Sequence, residues 1–170
     1  MGIHVYKAYN GPMPTVAAQA AVSTGTTILT ALQVAAPSTR MLTLVSWSWQ
    51  CDDPPGADAV IELLETDVAA TVTAHVASGV QPQVPGIPAS LVTLAVGGTG
   101  YTASAEGTPA AVRVFDTASL SSTSGESVLS GGYQWLPNER PTVNVSRFLR
   151  VRVTTPTTAV GFRCSITWEE

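Results

Sequence analysis

The sequence predicts an all-β fold, an antiparallel β-sandwich of jelly-roll-like or Greek-key type with one short helix near residues 67–78. The first observation is an alternation of apolar with small, polar or charged residues near the carboxyl end, which is typical of a strand with one dry and one wet face. Its apolar positions are Val160, Phe162, Cys164, Ile166 and Trp168. The second is the division of the chain by turn-rich connections into about seven to nine short apolar segments.

The composition indicates one folded domain with an unusually neutral surface. Of the 170 residues, 45% are hydrophobic and only 12% are charged, whereas about 25% charged residues is typical of globular domains. This combination excludes disorder for the body of the chain, and a neutral surface costs little to desolvate against another protein. The net charge of −4 gives no electrostatic attraction to nucleic acid.

The amino-terminal residues 1–14 predict an extended arm, which precedes a single β-sandwich domain over residues 15–170. Pro12 and Pro14 indicate a turn at the end of the arm. Two tyrosines of the arm, Tyr6 and Tyr9, are candidate contacts with a partner. The arm either docks on a neighbouring subunit or lies across its own sheet, and the second arrangement is favoured.

The next segments predict strands. Residues 15–35 contain one or two of them, although their alanines also allow a short helix. Residues 41–51 form a clearer strand, in which strict alternation places Trp47 and Leu44 on opposite faces.

A helix is predicted directly after a further strand over residues 59–65. Thr66 or Asp67 can cap this helix, and Gly79 can end it. Three valines recur every four positions and could form one apolar stripe, although their branched side chains disfavour a helix. These are Val68, Val72 and Val76.

Two long surface loops are predicted in the second half of the chain. Residues 79–90 are too rich in glycine and proline for regular structure, and residues 117–131 are rich in serine, threonine and glycine. Loops of this length are often interaction loops. The strands predicted around them cover residues 91–96 and 110–115 and a terminal set that begins at Tyr133.

No catalytic or metal-binding motif is recognisable. His4 and His75 stand in no ligand spacing, and the closest approach to G-x-S-x-G, residues 125–129, lacks the final glycine. Cys51 and Cys164 fall on apolar strand faces, which indicates buried thiols; a disulfide would require neighbouring strands. The sequence therefore predicts a non-enzymatic protein without a metal or cofactor.

Tyr133 and Trp135 are the candidate contact residues of the second half. They are two positions apart and share one strand face. An exposed Tyr/Trp pair can stack on a sugar ring or anchor a protein contact. Core packing is nevertheless favoured for this pair, and it is also the expectation for Trp47, Trp49 and Trp168.

The amino-terminal residues lack the apolar core of a signal peptide, and no apolar run is long enough to cross a membrane. We therefore expect a soluble protein that is made in a cytoplasm and has no membrane partner.

Four segments resemble short virion proteins of tailed bacteriophages that infect high-GC actinobacteria. They are residues 5–12 (VYKAYNGP), 65–72 (ETDVAATV), 101–108 (YTASAEGT) and 164–170 (CSITWEE). The resemblance implies a capsid decoration (cement) protein of the virion, made in the host cytoplasm. Such a protein has a compact β fold and binds the major capsid protein as a homo-oligomer, with a trimer favoured. The alternative is a minor tail component or a virion-surface β-sandwich module that binds carbohydrate through Tyr133 and Trp135.

Overall fold

Two antiparallel β-sheets packed face to face form the body of the protein, which confirms the predicted all-β sandwich. The computed structural model describes residues 4–122, 129–154 and 158–170. Its strands are β1 Val5–Tyr9, β2 Val22–Ser23, β3 Leu29–Ala35, β4 Leu42–Cys51, β5 Ala59–Thr66, β6 Thr71–Ala74, β7 Gln81–Pro82, β8 Gly100–Ala105, β9 Val112–Leu120, β10 Ser130–Gln134, β11 Thr142–Val143, β12 Phe148–Thr154 and β13 Gly161–Glu169.

The two sheets are built mostly from strands that are distant in the chain. The first sheet has the order β10-β4-β13-β1-β7, with β11 also paired to β4 and β2 to β13. The second sheet has the order β6-β8-β3-β12-β5-β9. Because β3, β5 and β12 belong to the second sheet while β4 and β13 belong to the first, the chain crosses repeatedly between the two sheets.

The predicted inner face of β13 is confirmed, although Ser165 and Thr167 on its outer face are also buried. Phe162, Cys164, Ile166 and Trp168 all point into the space between the sheets, where they join the main hydrophobic core. Trp47 and Trp49 of β4 lie in the same core, as expected for them and for Trp168. The dry face of β13 therefore forms the centre of the first sheet's inner surface.

A β-bulge in β4 corrects the expected facing of its residues. Leu44 and Trp47 are both buried in the core, although strict alternation places them on opposite faces. The pairing with β13 shifts here, since Thr167 pairs with Ser46 and Trp168 pairs with Leu44, which leaves Val45 without an opposite residue. One extra residue reverses the inward parity, so both ends of β4 contribute to one core.

The predicted helix near residues 67–78 is wrong. Residues Thr71–Ala74 form β6, which pairs with β8, and the only helical piece there is a 3-10 turn, Ala77–Gly79. The β-branched Thr71, Val72 and Thr73 fit a strand better than a helix. Val72 is buried, whereas the other two valines of the supposed stripe are exposed.

Three further expectations about strands and loops are corrected. Residues 79–90 contain a short strand, because Gln81–Pro82 form β7 and pair with β1. Residues 91–96 form no strand, and β9 continues to Leu120 into the loop predicted for residues 117–131. Residues 123–128 of that loop, which include most of the closest approach to G-x-S-x-G, lie outside the described residues. The strand in 110–115 is present but begins at Val112.

The predicted arm of residues 1–14 contains a strand of the sandwich's own sheet. β1 lies between β13 and β7 and pairs with β13 along its whole length. The Tyr6 hydroxyl donates a hydrogen bond to the Pro88 carbonyl at 2.8 Å, and its ring packs 6.2 Å from that of Trp168. Of the two arrangements considered for this segment, the described residues adopt the one within the chain.

Part of the outer face of the second sheet is covered by long connections. The buried guanidinium of Arg150, on β12, donates to the carbonyls of Val68 and Glu106. Gln33, on β3, accepts from the Ala70 amide at 2.8 Å and donates to the Gly98 carbonyl at 2.7 Å. These bonds hold the β5–β6, β7–β8 and β8–β9 connections against β3 and β12.

Candidate binding surfaces

The four aromatic residues predicted as partner contacts have different environments. Tyr6 is buried, and burial together with the nearby Glu170 raises its pKa. Tyr9 is partly exposed on the outer face of the first sheet. Tyr133, on β10, is about half exposed, and Trp135 packs partly against the main core. The structure brings Tyr133 and Trp135 together, whereas Tyr9 lies three strands away, on β1.

Strands β9 and β10 form one side of the sandwich, which we call the open side. Each is the last strand of its sheet, and among the described residues each pairs along one edge only. They lie on the same side because Trp47, which pairs with β10, donates from its indole nitrogen to the Asp116 carboxylate of β9 at 2.8 Å. Four exposed apolar or aromatic side chains accompany the two strands, with exposed fractions of 49–61%: Val112, Val114, Tyr133 and Leu136.

The aromatic pair on the open side does not form a flat platform. The rings of Tyr133 and Trp135 are 5.3 Å apart and are inclined at 65°, edge to face. A sugar stacks best on one continuous aromatic face, whereas an edge-to-face pair presents a compact and partly polar knob. The geometry therefore favours a protein contact over sugar stacking at this position.

Two glycines allow β10 to lie against the tryptophans of β4. A Cβ atom at Gly131 would come within 2.7 Å of the Trp49 ring. A Cβ atom at Gly132 would come within 2.2 Å of the Trp47 carbonyl oxygen. Packing thus requires the two glycines, and with Ser130 before them they leave the start of β10 without bulky side chains.

The outer face of the first sheet carries a second surface, which we call the polar trough. Its middle row crosses four strands in register through Gly132, Ser48, Ser165 and Tyr9. The rows on either side contain longer side chains, namely Gln50 and Arg163 in one row and Gln134 and Lys7 in the other. Small residues between longer ones produce two adjoining depressions of about 370 and 480 Å³, which share Ser48, Gly131 and Ser165.

The trough has polar chemistry and little net charge. The Ser48 and Ser165 hydroxyls are hydrogen-bonded to each other at 2.8 Å on its floor. Arg163 pairs with the Asp52 carboxylate and donates to the Gln19 carbonyl at 2.9 Å. The Lys7 ammonium lies 5.0 Å from the centre of the Tyr9 ring. No carboxylate lines either depression among the residues that the structure describes.

The sequence indicated the polar faces of two of the strands that form the trough. Ser46, Ser48 and Gln50 on one strand and Arg163, Ser165 and Thr167 on another form the wet faces of alternating segments. Alternation identifies such a face, but it does not show which strands are neighbours. The pairing of β4 with β13 and β10 therefore had to come from the structure.

His75 is buried and serves as a structural contact. Its Nε2 lies 2.8 Å from the Tyr9 carbonyl, and its ring lies 4.9 Å from that of Tyr101. Burial lowers the pKa of His75, and the hydrogen bond to Tyr9 opposes that shift. The side chain thereby joins the end of β6 to the end of β1. Among the residues that the structure describes, no carboxylate or serine hydroxyl is hydrogen-bonded to it.

The two cysteines are free thiols buried in the core. Burial raises the pKa of Cys51 to about 11, with the nearby Asp52 adding to the effect. Burial also raises the pKa of Cys164. Neither thiol is activated as a nucleophile, because the thiolate is the reactive form. Within the described ranges, no three histidine, cysteine or acidic side chains form a group that could hold a metal ion.

No family model, curated protein or solved structure matches this chain. Over the residues described, no helix is long and apolar enough to cross a membrane. Function must therefore be inferred from the open side, the polar trough and the sequence resemblance.

Proposed function

We propose that this protein is a non-enzymatic structural component of a tailed-bacteriophage particle, a capsid decoration protein that binds the major capsid protein and stabilises the shell. The observation that carries the proposal is the open side. It combines two singly paired edge strands with exposed Val112, Val114, Tyr133 and Leu136. The β-sandwich fold and the low content of charged residues suit a rigid body that is bound by neighbouring proteins of a particle.

Exposed edge strands pair readily with other chains, and monomeric proteins usually protect them with lysine, proline or a short length. β10 has the sequence SGGYQ, without a charged residue or proline. β9 is nine residues long and exposes two valines near its start. Such a side is suited to receive an extended segment of a partner, by main-chain hydrogen bonds and alternating side-chain contacts.

A particle gives weak contacts of this kind a large combined effect. When several linked copies engage a lattice, each later contact forms at a high effective concentration, so overall binding exceeds that of one site. We therefore propose a homo-oligomer, with a trimer favoured. The virion location is supported by the resemblance of four segments to virion proteins of tailed phages, and a minor tail component would use the same open side.

Binding to particles tests the proposal directly. Capsids of the virus that carries this chain would be prepared without it, and purified protein would be added over a range of concentrations. We expect saturable binding to the shell, and we expect Tyr133→Lys and Val114→Lys to weaken it at least tenfold. Val76→Lys is the matched control, because Val76 is equally exposed but follows β6 on the far edge of the second sheet.

Two results would count against the proposal. Absence of binding to such capsids would exclude the capsid location, and a map with the chain in the tail would support the minor tail component instead. Equal binding by the wild-type protein and both open-side variants would remove the open side as the docking surface.

A further inference from the structure

We propose that the polar trough is a binding site for a neutral oligosaccharide. The trough shares β10 with the open side, and Tyr133 lines one of its two depressions, but its floor is formed by Ser48 of β4 and Ser165 of β13. The trough lies on the outer face of the first sheet, whereas the capsid contact proposed above uses the edge strands. One particle protein could therefore be held by its edge while its trough faces a glycan.

The dimensions of the trough fit an extended polar ligand. Its two depressions, of about 370 and 480 Å³, are each in the range of small-molecule sites. They adjoin along a row that crosses four strands, and neighbouring strands lie about 4.8 Å apart, so the row is about 14 Å long. A trough of that length accommodates more than one sugar unit.

The floor of the trough matches the hydrogen bonding of sugar hydroxyls. Each hydroxyl has one proton and two lone pairs, and the bond between Ser48 and Ser165 uses one proton and one lone pair. The pair therefore retains one donor and several acceptor positions. Gln50 and Gln134 beside it add amide donors and acceptors. A sugar hydroxyl needs both roles, whereas a phosphate or carboxylate accepts only.

The charge distribution favours a neutral ligand. Arg163 is already paired with Asp52, and among the described residues no carboxylate pairs with Lys7. A single unpaired cation is insufficient for nucleic acid, whose binding depends on neutralising several phosphates. A bound peptide would need an apolar anchor, whereas most side chains that line the trough are hydroxyls, amides and two cations, with Tyr9 and Tyr133 at its ends. Tyr9 at one end supplies the aromatic surface that the apolar side of a sugar ring can contact.

The test uses purified full-length protein on a glycan array that carries neutral hexose and pentose oligosaccharides and uronic-acid oligosaccharides. The tightest neutral binder would then be titrated by calorimetry. We expect saturable binding to neutral glycans and a loss of at least tenfold in affinity for Ser48→Val. Valine removes the floor hydroxyl and fills the trough, while the β-branched side chain remains compatible with a strand. Gln50→Ala should also weaken binding.

Ser119→Val is the matched control, because Ser119 is an exposed serine of β9 outside the trough. It should bind as the wild type does. Three results would overturn the inference: no binding to any neutral glycan, binding to uronic-acid glycans alone, or binding that survives Ser48→Val and is lost in Tyr133→Ala. Capsid binding should be unchanged in Ser48→Val, so failure of the glycan site leaves the capsid proposal to be judged by its own experiment.

Discussion

At the scale of the residue, the buried side chains of Arg150 and His75 should affect the free energy of unfolding differently from the charged side chains at the surface. Arg150 is 1% exposed and joins β12 to two connections, whereas Arg152 two positions later forms a partly exposed ion pair with Glu62. Burial lowers the pKa of Arg150, and the Glu106 carboxylate opposes that shift. The two arginines therefore form a natural comparison between a buried and a solvated ion pair.

The Arg150→Met variant should lose far more stability than Arg152→Met. Methionine preserves much of the volume of Arg150 but leaves the carbonyls of Val68 and Glu106 without their donor. Breaking a buried pair costs about 3–5 kcal/mol, whereas a partly exposed pair contributes about 0–1 kcal/mol. Urea denaturation at pH 7 measures both free energies of unfolding. Equal losses in the two variants would show that Arg150 does not hold the connections.

The pH dependence of stability should report His75. Burial lowers its pKa in the native state below the ordinary value of 6.5, so the unfolded chain binds more protons than the native protein just below that value. The stabilisation is complete above pH 6.5 and is lost as the pH falls through the native pKa. The free energy of unfolding should therefore decrease between pH 7.5 and 5.5, and this decrease should be smaller in His75→Gln, whose amide can still donate to Tyr9.

His4→Gln is the comparison variant for the same titration, because His4 is the other histidine and is only partly buried. Denaturation curves at closely spaced pH values give the slope of the free energy of unfolding against pH for the wild type and both variants. A slope that is unchanged in His75→Gln and reduced in His4→Gln would show that His75 does not carry the pH dependence of stability.

At the scale of the element, the sequence predicted strands whose two faces differ in polarity and failed where other contacts decide the structure. β13 alternates strictly, so its inner face could be named in advance. The bulge at Val45 leaves no comparable pattern in the sequence, because the large apolar residues on both sides of it would fit a strand with or without the bulge. The segment of β6 has helical spacing of valines, yet it becomes a strand because β8 offers it a hydrogen-bonding edge.

Replacement of Gly131 by alanine should destabilise the protein, although glycine to alanine in a strand usually has the opposite sign. The added methyl group would lie 2.7 Å from the Trp49 ring, and this ring is buried in the core. Overpacking of this kind costs about 1–3 kcal/mol. Thermal and urea denaturation would show the loss, with Ser130→Ala at the preceding exposed position as the control. Equal or higher stability of Gly131→Ala would mean that β10 does not pack on Trp49 in this way.

At the scale of the whole molecule, the sandwich is asymmetric in how its surfaces are protected. The β3–β12 part of one outer face is covered by connections that Gln33 and Arg150 hold in place. The other outer face carries the trough, and one lateral side carries β9 and β10. The sequence predicted a contact role for Tyr9, Tyr133 and Trp135, but it could not place Tyr9 three strands away from the other two, because that depends on strand order.

Hydrogen exchange should reveal this asymmetry and locate the partner. In the isolated chain, amides of β13 should exchange slowest because β13 is paired on both sides, while alternate amides of β9 and β10 should exchange quickly from their unpaired edges. On oligomerisation or binding to capsids, protection should rise in β10 and in the first half of β9, since a docked strand would satisfy those amides. The far-edge strand β6 provides the internal control and should keep its rates. Protection that appears at β6 instead of β10, measured by mass spectrometry of the bound and free protein, would move the interface to the opposite side of the sandwich.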